Sequence, residues 1–235
     1  MANSHSTNLV AASSQYWSIT DASQTGLDIT GSFTISLHVR VTTDGVGNLA
    51  LVRKGTAAYG FEYNSTTHKI YATNGVDGFW LIDPITLTAG SWYTITWRHN
   101  GTTFVNSSWV NGTKQTDVAG TVNASAGSDP LTIGAWNGAA GDPFNGDIDE
   151  VLIYNVAPSD AICAALHSDP CNPDTTGLVS RWAFDNNGND SVGSNNLTNN
   201  GTATFTTAVG FTCAVGPANL KSYYTNLAAN IKSIN

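Results

Sequence analysis

Between Ser32 and Val41 apolar and polar residues alternate without a break: Phe33, Ile35, Leu37, Val39 and Val41 against Ser32, Thr34, Ser36, His38 and Arg40. A period of two belongs to a β-strand, so this stretch predicts an antiparallel strand with one face in a core and the other against water or a partner. Shorter signals of the same kind recur at Tyr16 to Ile19, Leu49 to Lys54, Tyr59 to Tyr63, Lys69 to Thr73 and Gly78 to Ile82. They continue at Trp92 to Arg98, Thr103 to Val110 and Thr113 to Val118. Lys54-Gly55, Asn74-Gly75, Asn100-Gly101 and Asn111-Gly112 supply the turns between them. Further on, Asp149, Val151 and Ile153 fall on one face of a strand and Glu150, Leu152 and Tyr154 on the other. Both faces are largely apolar, as a strand inside a two-sheet sandwich requires. Asn145-Gly146 turns into it and Pro158-Ser159-Asp160 ends it.

A helical period appears in one place. Leu220, Tyr224, Leu227, Ile231 and Ile234 recur at spacings of four and three after Pro217, which predicts an amphipathic helix over 217–235. Two heptads are too few for a free coiled coil, so this face needs a docking partner, either its own sandwich or another subunit. Many short strands with no helix between them indicate a sandwich or jelly roll rather than alternating β and α units.

Composition narrows the function classes. The net charge is −8 and the nine Lys and Arg residues are scattered along the chain, which disfavours nucleic acid, whose phosphates call for a basic stripe. No apolar run approaches the roughly 20 residues of a membrane span. The opening MANSHSTN lacks the basic-then-apolar layout of a signal peptide, so folding in a cytoplasm is expected. Cys163, Cys171 and Cys213 are odd in number and fit no zinc spacing, which favours reduced, partly buried thiols, with a late disulfide between two of them in an oxidising medium as the alternative.

Several ordered motifs carry a family resemblance: Gln15 to Ile19 (QYWSI), Leu27 to Ser36 (LDITGSFTIS), Leu87 to Tyr93 (LTAGSWY), Trp109 to Gly112 (WVNG), Leu131 to Gly134 (LTIG) and the closing Phe144 to Ala161 (FNGDIDEVLIYNVAPSDA). In this order they resemble laminin-G-like, concanavalin A-like jelly rolls over roughly residues 9 to 162. The resemblance implies an all-β, two-sheet antiparallel sandwich. Gly177 to Asp185 (GLVSRWAFD) is similar to the opening strand of the same family, yet it follows the closing motif. A permuted sandwich completed by its own C-terminal segment, a truncated second repeat and a strand donated to a neighbour all fit. Permutation ranks first, because it fills an otherwise empty strand position and covers an edge. The expected layout is a jelly roll over 1–170, the displaced segment over 171–216 as part of the same sandwich, and the helix over 217–235.

Catalytic chemistry is poorly represented. Hydrolases of this fold carry Glu-x-Asp-x-x-Glu on one strand; the nearest stretch here is Asp147-Ile148-Asp149-Glu150, in which the flanking glutamates are missing and Glu150 should point away from Asp147 and Asp149. No enzyme activity is expected. Calcium, the family's common ligand, is the one cofactor implied, with Asp149, Asp185 and Asp190 as candidate ligands. The stretch Ala135 to Asp142 lacks the acids of a pentraxin-type calcium site. Sugar binding needs exposed aromatics flanked by polar groups, and Trp136 with Asn137 and Asp142, and Trp80 with Asp77, are the candidates. Trp92, Trp97 and Trp182 read as core.

The leading expectation is a non-enzymatic virion surface protein of a bacteriophage, a capsid decoration or tail module made in the host cytoplasm. It would meet capsid or tail subunits or copies of itself through Leu220, Tyr224, Leu227, Ile231 and Ile234. The alternative is a carbohydrate-binding lectin module, calcium-assisted or not; the two roles coexist if the virion reads a host surface glycan.

Overall fold

The computed structural model describes residues 3–43, 45, 47–56, 58–75, 78–80, 86–136, 141–211 and 213, with Phe79 and Trp80 described by their backbone alone. The 217–235 helix, with Leu220, Tyr224, Leu227, Ile231 and Ile234, therefore lies outside the described residues, as do Asp77 and Asn137. The alternating stretches form strands in chain order: β1 (Ser6–Leu9), β2 (Tyr16–Ile19), β3 (Phe33–Val41), β4 (Asn48–Lys54), β5 (Gly60–Asn64), β6 (Lys69–Thr73), β7 (Gly78–Trp80) and β8 (Trp92–His99). They continue with β9 (Val105–Val110), β10 (Thr113–Lys114), β11 (Val118–Ala119), β12 (Leu131–Ile133) and β13 (Gly146–Tyr154). After the helix α1 (Asp160–Ser168) come β14 (Leu178–Trp182), β15 (Thr198–Asn200) and β16 (Thr204–Thr206).

Two antiparallel sheets form a jelly-roll sandwich. One runs β10-β9-β8-β3-β13-β1-β16, with β11 on β9 and β14 on β13; the other runs β15-β2-β12-β4-β5-β6-β7. Between them lies one apolar core built from the inward positions, among them Phe33, Ile35, Leu37, Phe61, Trp97, Ile133, Val151 and Trp182. Trp97 stands edge-on to Phe33 at 4.7 Å, a favoured aromatic arrangement.

The segment after α1 belongs to both sheets. β14 pairs with β13, with Trp182 opposite Val151, while β1 pairs with the other end of the same flank of β13. β16 extends the sheet beyond β1, and β15 pairs with β2 in the opposite sheet. All these partners are in the same chain.

Three expectations change at the outer face of the larger sheet. First, β3 has no wet face over its first half: Thr34, Ser36 and His38 are buried. Helix α1 lies over this face, with Leu166 against Leu152, Tyr154 and Leu178. Its start is fixed by Ser159, whose Oγ accepts from the Ile162 N–H, and Asp160 suits the positive end of the helix. Second, the simple alternation of β13 fails. Opposite β3 the register slips by one residue between Asp149 and Leu152, and Glu150 adopts φ 45°, so the strand carries a bulge. Ile148, Val151 and Ile153 reach the core, whereas Leu152 and Tyr154 face α1. Glu150 meets Arg181 of β14, which pairs opposite Leu152 on the helix side. Asp149, expected with Val151 and Ile153, is thereby set apart from them. Third, Trp92 is only half-buried and lies outside the core, with the Arg40 guanidinium over its ring at 5.4 Å.

The rest of the outer face is covered by the chain after β16. Phe211 lies 4.2 Å from the His38 ring, Ala208 accepts from the Ser6 hydroxyl, and Cys213 is disulfide-bonded to Cys171. Reduced thiols were expected for this pair; only Cys163 is free. The bond closes a loop spanning 42 residues in sequence. Loop-closure entropy for that length stabilises the fold by about 4 kcal/mol. The Cys171→Ser/Cys213→Ser variant should therefore unfold at markedly lower denaturant than the oxidised protein, and added reductant should bring the wild type to the same midpoint. An unchanged midpoint in equilibrium denaturation would mean the strap contributes nothing to stability.

Candidate functional site

On the outer face of the smaller sheet a polar cluster is assembled by two local devices. Opposite β5, β4 slips register between Ala50 and Val52, so Leu51 and Val52 both enter the core and Arg53 emerges on the outer face. Arg53 pairs opposite Gly60, where a Cβ would overlap the guanidinium; the missing side chain lets Arg53 lie across β5. There its Nη1 meets Glu62 Oε1 at 2.7 Å. The second device is the loop after β12. Trp136 N–H donates to Gly141 O, Ala50 N–H donates to Asp142 O, and the loop is folded back on β4 with the Trp136 ring 5.1 Å from the Arg53 guanidinium.

The electrostatics leave this cluster unfinished. Arg53 Nε and Trp136 Nε1 are both buried donors with no acceptor among the described residues. Burial pushes the Glu62 carboxyl up, Arg53 pulls it back, Asp142 pushes it further up, and the Asn48 side chain lowers it. Burial also raises Asp142, again opposed by Arg53. Buried polar groups are normally paired, and two adjacent orphan donors beside two acids are uncommon in a finished protein surface. Glu62 stands opposite Tyr71 of β6, and Tyr71 stands opposite Trp80 of β7, so one row runs from Arg53 and Glu62 to the edge strand.

Of the expected sugar-contact residues, Trp136 and Asp142 are brought together around Arg53, and Trp80 occupies a register position in the same sheet. Arg53, Glu62 and Tyr71 were not singled out from the sequence. The available signal was a charged residue inside an otherwise apolar strand, at Arg53 between Val52 and the turn and at Glu62 between Phe61 and Tyr63.

The acids of the larger sheet have other partners. Asp147 accepts from Arg40 Nε and pairs with Arg40 Nη2 at 2.7 Å, and it also accepts from Asn8. Asp149 accepts from Asn3 Nδ2 and the Glu150 N–H. Both Glu150 oxygens meet Arg181 at 2.6 Å. All three acids are fully buried, so this row turns no carboxyl pair toward a substrate. Asp185 takes Ser4 and His5 N–H donors, and Asp190 takes those of Arg181, Val192, Gly193 and Asn195. Backbone donors repel a cation, and they hold Asp190 in a loop of its own. The calcium candidates Asp149, Asp185 and Asp190 thus do not form a common oxygen cage.

The sandwich, its order of strands and its covered closing strand define a lectin-type jelly roll. Residues 11–162 match the family described as the concanavalin A-like lectin/glucanases superfamily, and the chain belongs to it. No sequence among the curated proteins matches. Solved structures share the fold. A candidate carbohydrate binding protein from Bacteroides ovatus is 18% identical with a TM-score of 0.70, over 91% of this chain and 62% of that one. This chain therefore spans less than two thirds of that protein. The heptameric SAP-like pentraxin of Limulus polyphemus is 11% identical with a TM-score of 0.61, over 91% and 98% of the two chains. The CBM40 domain of the Ruminococcus gnavus IT-sialidase, bound to alpha2,3 sialyllactose, is 14% identical with a TM-score of 0.54, over 71% and 100%.

Burial lifts the Asp149 carboxyl well above the usual range; the Asn3 hydrogen bond opposes this and Glu150 adds to it. The folded protein thus holds this proton where the unfolded chain, titrating at about pH 4, has lost it. The stabilisation is complete below that value and is lost as pH rises through the raised folded one. Asp149→Asn, which mimics the neutral acid, should match the wild type at acid pH and exceed it increasingly as pH rises, by about 1.4 kcal/mol per unit titrated. Denaturant unfolding from pH 4 to 8 checks this; a difference independent of pH would mean Asp149 is ionised.

Proposed function

We propose that the chain is a non-catalytic carbohydrate-binding module whose sugar seat is the cluster of Arg53, Glu62, Trp136 and Asp142. The observation that carries this reading is the pair of buried donors, Arg53 Nε and Trp136 Nε1, without an acceptor among the described residues and beside two carboxyls and a half-buried indole. A pyranose supplies what such a cluster lacks: oxygens to accept from the donors, hydroxyls to donate to the acids, and an apolar ring face for the indole. One guanidinium against two carboxyls favours an uncharged, hydroxyl-rich sugar over an anionic one. The sugar-binding descriptions of the Bacteroides and Ruminococcus neighbours support the class, while the charge balance separates this seat from a sialic acid site. The Cys171–Cys213 bond supports work in an oxidising compartment, outside a reducing cytoplasm.

A virion role, with capsid or tail partners, rests on the sequence features alone; the named neighbours add no support to it. The sugar reading is tested by glycan-array screening followed by calorimetry on the best neutral oligosaccharide. Trp136→Ala and Arg53→Met should each weaken binding about tenfold or more, or roughly 1.4 kcal/mol, with unfolding midpoints close to wild type for Trp136→Ala. Undiminished binding in both variants would move the seat elsewhere, and exclusive binding of sialosides would overturn the neutral assignment.

A further inference from the structure

Immediately after Arg53, at the end of β4, Lys54 is the one lysine among the described residues whose side chain has no exposed surface. Its Nζ lies 2.8 Å from Asp21 Oδ1, 3.0 Å from Asp28 Oδ1, 3.1 Å from Gly127 O and 2.5 Å from Asp129 O. The two acids come from the turn after β2 and the loop before β3, and the two carbonyls from the loop before β12. An ammonium has three N–H donors, yet four oxygens converge here. Two carboxylates and two backbone carbonyls, drawn from separate rim loops with no nitrogen or sulfur among them, are the donor set of a hard divalent cation. Gln24 Nε2 bonds to both Asp21 and Asp28, at 2.6 and 3.2 Å, and holds the two acids side by side around the common centre.

We propose that this oxygen cage is a calcium-type seat that the chain fills with its own cation, the Lys54 ammonium, so that the rim is ordered without metal. Three of the four distances, 2.8, 3.0 and 3.1 Å, are hydrogen-bond lengths and suit this occupant; a calcium ion would draw all four oxygens to 2.3–2.6 Å. The consequence for function is positional. Lys54 anchors the end of the strand that presents Arg53, so the cage fixes the sugar seat proposed above. Removing the ammonium, while leaving the oxygens, should turn a metal-independent rim into a calcium-dependent one.

The test compares full-length wild type, Lys54→Ala and Lys54→Met in chelator and in millimolar calcium chloride, by thermal unfolding and by calorimetric titration with calcium alone. The wild-type midpoint should not move between the two buffers. Lys54→Ala should unfold at lower temperature in chelator, recover by about 5 °C or more in calcium, and bind calcium in the titration, with magnesium less effective. Lys54→Met, which fills the space without charge, should be destabilised and not recover. Calcium binding by the wild type that Asp28→Asn abolishes would overturn the proposal. So would a Lys54→Ala protein that calcium does not stabilise. Should Lys54→Ala fold in neither buffer, Lys54→Ser replaces it; failure of both to fold in calcium also overturns the proposal. These readouts involve no sugar, so they stand or fall apart from the binding reading.

Discussion

The rest of the sandwich depends on β13 having no face left for water. All nine of its residues are buried, and three of them are acids. An isolated buried carboxylate is costly by several kcal/mol, so each acid must be neutralised or matched with donors. Those donors come from far away in sequence. Arg40 is on the neighbouring strand, Asn3 and Asn8 are in the N-terminal segment, and Arg181 is on β14. The N-terminal segment and β14 are thus drawn onto the same strand by the acids as well as by the apolar core. The bulge at Glu150 makes this arrangement consistent: it lets one strand send Ile148 and Val151 into the core while Asp149 and Glu150 stay on the outer side. A left-handed φ on a glutamate costs on the order of 1 kcal/mol, and the two-point pairing with Arg181 offsets it.

That architecture explains which parts were legible in the sequence. Period-two alternation placed β3, β4, β6 and β8 within a residue or so of their ends, because core burial on one face imposes that pattern on any sheet. The same logic misread β13, since a one-residue bulge inverts every later position and leaves no mark on composition. It also assigned β3 a wet face. The cover over Thr34, Ser36 and His38 comes from α1 and from the strap near Phe211, contacts between residues more than a hundred positions apart. The Cys171–Cys213 bond was hidden for the same reason: spacing says nothing about a chain that doubles back across a sheet.

The candidate site was half legible. Trp136 and Asp142 stood out because an aromatic in an Asn/Gly loop beside an acid suits sugar contact as well as it suits packing. Arg53 and Glu62 did not, because a charged residue in a strand reads as a solvated face unless its neighbours are known. What distinguishes them is burial, and for Arg53 an Nε without a partner among the described residues, and neither property belongs to a residue in isolation.

The two outer faces of the sandwich differ in what lies over them. On the larger sheet every strand acid has a donor, a helix and a strap exclude water, and burial, with His167 adding, pushes His38 down to about 3, so its imidazole is neutral. That face is closed. On the smaller sheet Arg53 Nε and Trp136 Nε1 have no partner among the described residues, as also holds for His38 Nδ1 and the Tyr154 hydroxyl on the larger one, but here the Trp136 ring lies beside the Arg53 guanidinium. Completing Arg53 and Trp136 with protein acceptors would have been a small change in a chain so rich in Asn, Ser and Thr. The face nevertheless retains two donors unpaired among the described residues, next to the rim that Lys54 holds. Rigidity next to unmet hydrogen-bonding capacity is what a preorganised binding seat requires, because little side-chain entropy remains to be lost when a ligand arrives.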